Sequence, residues 1–362
     1  MDITAIDKNF KLPEITETDV EWINATDPRI ALYGVYYSEE EGEATYRRMS
    51  QKVANSISDG VSILSKNTSG GRLRLVTDSP YFAIKCMVAD FGMWQHMTVV
   101  TASGFSLYTD GKFQNMYAPT EVSKKAVKDG RFAYNGIRYF QEKKERELEL
   151  YFPLYNAVYE LYIGIKKGST IKPAPKYAYE KPVLFYGSSI TQGGCASRPG
   201  NDYAGYLERW LNTDYINLGF SGSGKAEPIM VEYLSEVDAS VYVLDYDHNA
   251  PTAEYLEETH YPLYKAIREK HKNAPIVCIS RPDFENGGET INSPRRNVVK
   301  ATVEKATQFG DKNVYFIDGE TLFGEEDRDS CTVDGCHPND LGFYRMAKTI
   351  YPVLKEALEK TK

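Results

Sequence analysis

The chain has 362 residues, more than one hydrophobic core usually serves, which implies about two domains. Hydrophobic residues make up 42% and charged residues 26%, the balance of an ordinary globular protein and not of a disordered one. A formal charge of −8 argues against nucleic acid or an anionic membrane surface as a partner.

The opening MDITAIDKNFKLPEITETDVEW is acidic and has no continuous apolar run, so it does not read as a secretion signal. No stretch reaches the ~20 apolar residues of a membrane span. The cysteines (Cys86, Cys195, Cys278, Cys331, Cys336) are odd in number and scattered, so no disulfide framework is implied. A reduced, cytoplasmic protein is the expectation.

The first half is written in short strands. RLRLVTDSPYFAIKCMVAD (72–90) alternates apolar and polar residues around a turn at Asp78-Ser79-Pro80. MTVVTASGFSLYTDGKFQNMYA (97–118) continues in strands with a hairpin turn at Thr109-Asp110-Gly111. ERELELYFPLY (145–155) and VYELYIGIKKG (158–168) add two more strands. Such spacing predicts an all-β, jelly-roll-like sandwich over residues 1–175. The many tyrosines are good strand residues before they are sugar-stacking platforms. KKGSTIKPAPKYAYEK (166–181) reads as an interdomain linker.

After it the rhythm changes. Apolar strand candidates VLFYG (183–187), DYINLGF (214–220), VYVLDY (241–246), PIVCIS (275–280) and VYFIDG (314–319) alternate with helical segments at 202–212, 228–237 and 253–272 and at the C terminus. Asp202 is the expected N-cap of the first. This alternation predicts a parallel sheet covered on both faces over residues 181–362, with ligands bound beyond the carboxyl ends of its strands.

Four polar clusters follow those strand ends: Ser188-Ser189, NLGFSGSGKAEP, DYDHNAP and VDGCHPNDLG. Ester hydrolysis needs a serine with a base, a group that orients the base, and donors for the oxyanion. His337 and Asp334, three apart on a turn, suit the base and the group that orients it. Gly222 can present a backbone N–H, and Asn249 offers an amide. The turn is not a G-x-S-x-G elbow, because Thr191 stands at the last glycine position.

Taken in order, these blocks resemble those of the SGNH (GDSL-type) hydrolases, in the subgroup with an N-terminal β-sandwich and acetylesterase-like members. GSSIT matches the first block with Ser189 as nucleophile, and NLGFSG the second with Gly222 in the oxyanion hole. DYDHN resembles the third with Asn249 as a further donor beside the Ser189 N–H. DGCHP matches the last with Asp334 and His337. The resemblance implies a flavodoxin-like three-layer α/β/α catalytic domain. Ser188 stands where the family usually has aspartate, and the third block is degenerate; Ser106 likewise replaces an aspartate of the sandwich pattern.

Ser188, His248 and Trp94 are further candidates for lining the substrate site, although Trp94 reads first as a core tryptophan. Asp245, Asp247 and His248, or Cys331, Cys336 and His337, do not supply a recognisable four-ligand spacing, so no metal or other cofactor is expected. Cys195 lies near the nucleophile but has no separate histidine to activate it. The expectation is a serine esterase acting on O-acyl, chiefly O-acetyl, groups of carbohydrates, with an acylated small molecule or oligosaccharide as its partner and a homo-oligomer possible. The alternatives are a lipid or thioester acyl hydrolase, or a catalytically silent carbohydrate-binding protein.

Overall fold

A computed structural model describes residues 3–7, 14–90, 94–120, 129–282 and 284–362. In the N-terminal half, strands β1 (Val20–Asn24), β2 (Ala31–Tyr33), β3 (Tyr36–Glu40), β4 (Glu43–Arg47), β5 (Arg72–Thr77), β6 (Tyr81–Ala89), β7 (Phe105–Thr109), β8 (Lys112–Tyr117), β9 (Arg131–Tyr139), β10 (Arg146–Tyr151), β11 (Val158–Lys166) and β12 (Ile171–Pro173) follow in order. They build an antiparallel sheet β1-β11-β6-β9, a second sheet β12-β5-β10-β7-β8 with β2 beside β5, and a β3-β4 hairpin.

Alternation explains the packing between the two larger sheets. Leu73 and Leu75 of β5, Phe82, Ile84 and Val88 of β6, Leu148 and Leu150 of β10, and Leu161 and Ile163 of β11 meet in one buried core. The polar residues between them are not all left in water. Arg72 of β5 is fully buried against the second half, where it bonds the Asp214 carboxylate and the Gly70 carbonyl and lies 4.0 Å over the Tyr215 ring.

The C-terminal half contains β13 (Val183–Gly187), β14 (Tyr215–Gly219), β15 (Val241–Asp245), β16 (Ile276–Ile279) and β17 (Val314–Ile317). All pair in parallel, in the order β14-β13-β15-β16-β17, which is the flavodoxin-like pattern. Helices Tyr203–Leu211 and Asp340–Glu359 cover one face through Leu207, Phe343, Met346, Ile350 and Leu354. Helices Pro228–Glu236, Ala253–Lys270 and Phe284–Gln308 cover the other through Met230, Leu234, Leu256, Leu263, Ile267 and Val299. Asp202 does cap its helix, accepting the Gly205 N–H at 3.0 Å.

The two halves share these outer cores. Met49, Ala54 and Val61, on and beside helices Gln51–Ile57 and Asp59–Leu64, join the second face; Ala102, Leu154 and Tyr155 join the first. Three segments differ from the sequence reading: Ile171–Pro173, inside the stretch read as a linker, is a strand paired with β5; residues 99–103 are helical where strands are expected; and Phe284–Gln308, to which no element is assigned, is a helix. Residues 99–103 form a helix because Thr98 caps it by accepting the Thr101 N–H, which outweighs the β-branched Val-Val-Thr. Phe284–Gln308 is one helix despite Gly287, Gly288 and Pro294, residues that argue against a helix locally. Among the described residues no helix is long and apolar enough to cross a membrane.

Candidate active site

In a sheet of this order the strand connections diverge between β13 and β15, and a crevice opens there at their carboxyl ends. Ser189 follows β13 and Asn249 follows β15, so both flank that crevice. Gly187 closes β13 where a side chain has no room: a Cβ there would come 2.0 Å from Thr191 Oγ1 and 2.2 Å from the Asp245 carbonyl. The chain then turns directly into the short helix Ser189–Gln192, whose first N–H groups have no intrahelical acceptor.

Ser188 is the N-cap of that helix, and its fully buried hydroxyl accepts the Ile190 N–H at 3.1 Å. Its hydroxyl thus braces the nucleophile turn. The brace continues through Asn217, whose amide donates to the Thr191 carbonyl at 2.7 Å and whose Oδ1 accepts the Gly219 N–H at 2.9 Å. Gln192 accepts the Ser221 N–H at 3.0 Å.

The last turn of the sequence closes over this point. Ser189 Oγ lies 2.8 Å from His337 Nε2, and His337 Nδ1 lies 2.7 Å from Asp334 Oδ2. Asp334 Oδ1 also accepts the N–H groups of His337 at 2.7 Å and Cys336 at 3.0 Å. Burial pushes the Asp334 carboxyl upward, but these backbone bonds and the imidazole outweigh it and hold the group below its ordinary value. An ionised carboxylate therefore faces Nδ1 and favours the tautomer with its proton there, leaving Nε2 able to accept from the serine.

Gly222 sits at φ +66°, at the apex of a loop in which the Phe220 carbonyl accepts from Ser223 and Gly224. Its own N–H has no protein acceptor among the described residues. Asn249 donates to the same Phe220 carbonyl at 2.8 Å, so the second and third strand-end loops are joined. His248 is half-buried on the turn before Asn249.

The β-rich half reaches the site directly, through residues the sequence reading did not assign. Tyr155 O–H donates to the Ser189 carbonyl at 3.1 Å, Ser69 to the Gln192 carbonyl at 2.7 Å and Thr98 to the Ser197 carbonyl at 2.9 Å. Trp94 packs edge-on against Tyr155, with ring centroids 6.0 Å apart, and is 39% exposed, so it is no core residue. His96 stands with its ring centroid 5.4 Å from that of His337. Its signal was present in FGMWQHM, two positions after Trp94, but nothing local linked it to a histidine so far along the chain. Cys195 is buried, and burial followed by the nearby Asp334 charge pushes its thiol up to about 12, unsuited to a thiolate nucleophile.

The model of the GDSL-like lipase/acylhydrolase family matches residues 180–355, and that of the N-terminus of SGNH-hydrolase-type esterases matches residues 20–171. The sequence matches none of the curated proteins it was compared with. Among solved structures, a protein of Bacteroides ovatus ATCC 8483, described by resemblance as a GDSL-like lipase, is 29% identical. It superposes with a TM-score of 0.81 over 94% of this chain and 98% of its own. The salicylyl-acyltransferase SsfX3 of a tetracycline biosynthetic pathway is 19% identical, with a TM-score of 0.77 over 96% and 100% of the two chains. An acetyl xylan esterase of Butyrivibrio proteoclasticus is 15% identical, with a TM-score of 0.60 over 95% and 100%. Together the two family models span nearly the whole chain, and with the ordered strand-end blocks they make it a member of the GDSL-type (SGNH) hydrolase family and an ester hydrolase.

Proposed function

We propose that this protein is a serine esterase that removes acetyl groups from carbohydrates through an acyl-enzyme intermediate. The observation that carries the reading is the unbroken hydrogen-bonded series Ser189–His337–Asp334, at 2.8 and 2.7 Å. Ser189 Oγ attacks the ester carbonyl as His337 Nε2 takes its proton, and Asp334 stabilises the imidazolium that forms. The Ser189 N–H, the Gly222 N–H and the Asn249 amide serve the oxyanion. His337 returns the proton to the departing alcohol, then activates water to release acetate and free Ser189.

Carbohydrate as the alcohol is supported by the partly exposed Trp94, packed on the Tyr155 that bonds the Ser189 carbonyl and of a type that stacks on sugar rings, and by the acetyl xylan esterase among the similar folds. The test is acetate release from acetylated xylan and mannan oligosaccharides and from an aryl acetate, by the parent and by Ser189→Ala. Loss of several orders of magnitude in the variant is expected. Equal rates in the two proteins refute Ser189 as the nucleophile. Turnover confined to longer acyl esters in a chain-length series refutes the acetyl assignment in favour of a lipid or thioester acyl group.

A further inference from the structure

One group of potential metal ligands stands out among the described residues, and the esterase mechanism uses only one of its members. A ring nitrogen of His96, the thiol of Cys195 and a ring nitrogen of His337 all lie within 4.8 Å of one another. They come from three separate places: the segment before helix Val99–Ser103, the loop after the nucleophile helix, and the last turn before the C-terminal helix. Their types, two imidazoles and a thiol, suit Zn²⁺ and not Mg²⁺ or Ca²⁺, which take oxygen ligands.

We propose that this cluster is an inhibitory Zn²⁺ site that spans the two halves of the molecule. His337 Nδ1 is already bonded to Asp334, so Nε2 is the atom it offers. The Asp334–His337 pair then has the form of a carboxylate that orients a metal-bound histidine. Tetrahedral zinc at ordinary bond lengths sets its ligand atoms about 3.3–3.6 Å apart, so no pair of atoms in the cluster has to close by more than about 1.5 Å. His96 is half-buried, with its ring centroid 5.4 Å from that of His337. Cys195 is held at φ +73°, where glycine is the easier residue, so the fold keeps a side chain at this point against the local backbone preference. On binding, the thiol proton leaves to solvent and no group changes oxidation state. Zinc on Nε2 removes the acceptor on which Ser189 depends, and Ser189 Oγ or water completes the fourth position.

The inhibition rests on the serine-esterase reading, whereas occupancy of the site does not, and the experiment separates them. The full chain, freed of metal with a chelator, is titrated with Zn²⁺ while aryl acetate hydrolysis is followed, with Mg²⁺ as control. It is also titrated with Co²⁺, whose near-ultraviolet charge-transfer band reports a bound thiolate. Expected are inhibition by Zn²⁺ but not by Mg²⁺, reversal by chelator, and a thiolate–cobalt band that Cys195→Ala abolishes. His96→Ala and Cys195→Ala, each compared with its own metal-free rate, should raise the half-inhibiting Zn²⁺ concentration at least about tenfold, the lower end of what even an outer-shell partner contributes. Absence of the cobalt band in the parent, or equal zinc sensitivity in both variants and the parent, overturns the proposal. A parent without esterase activity that still shows the band refutes the functional reading and leaves the metal site standing.

Discussion

Asp245 tests whether a buried neutral carboxyl supports the nucleophile turn. It ends β15 with no exposed surface, and its Oδ2 accepts from Thr191 Oγ1 at 3.1 Å and from Tyr203 O–H at 3.0 Å. Its Oδ1 has no protein partner among the described residues. Burial, reinforced by the neighbouring Asp247 charge, holds the carboxyl well above its usual range. An unfolded aspartate ionises near ~3.9. Above that pH the unfolded chain has released a proton that the native chain retains, so stability falls as pH rises. The slope is up to about 1.4 kcal/mol per pH unit until the folded value is passed. Asp245→Asn keeps one acceptor oxygen and the shape but has nothing to ionise. Between pH 5 and 8 the parent should therefore lose up to about 4 kcal/mol relative to the variant. Urea midpoints of both proteins, measured at each pH unit, give the difference, and other titrating groups such as Glu149 cancel in it. A difference that does not drift, or drifts in the parent's favour, means that Thr191 and Tyr203 donate to a native carboxylate, and the reasoning fails.

Two substitutions probe the site more directly. Asp334→Asn should lower kcat/KM about 10⁴-fold by reversing the imidazole tautomer, and a fall under tenfold removes Asp334 from the mechanism. Because the Asp334 carboxyl is depressed, the stability it contributes is present above the ordinary carboxylate value and is lost only as pH falls below that value through the folded one. A pH titration of thermal midpoint in parent and variant checks that sign. Gly222→Ala meets no atom within 4 Å of the added Cβ but must hold φ +66°, a cost of about 1–2 kcal/mol. If the strain turns the Gly222 N–H away, kcat falls about 10²–10³-fold with KM little changed. A crystal structure of the variant in which this N–H is turned away, with kcat unchanged, shows that it does not serve the oxyanion.

The parallel half was legible because its signals are local. Strands β13 to β17 are apolar runs, each ended by a glycine or polar turn; β13, β15 and β16 are buried throughout, while the edge strand β17 is only partly so. The helix Phe284–Gln308 was not legible, since Gly287, Gly288 and Pro294 speak against a helix locally while Val299 and Ala306 are held in it by the core beneath. Residues 97–103 failed in the opposite direction, where strand-forming residues yielded to a single threonine cap.

At the site, sequence alone determined which residue types could do the chemistry and which strand ends carry them. Ser189 at the start of a short helix, and Gly222, Asn249, Asp334 and His337 in turns, all sit beyond strand ends whose place at one edge follows from strand-helix alternation. What tertiary structure alone decided is how that edge is completed. Ser188 turned inward as a helix cap, Asp245 became a buried anchor for Thr191 and Tyr203, and Trp94, His96 and Tyr155 arrived from the other half. The physical reason is range: caps, turns and periodicity act over a few residues, whereas the His96–His337 approach joins positions 241 apart and exists only once both cores have packed.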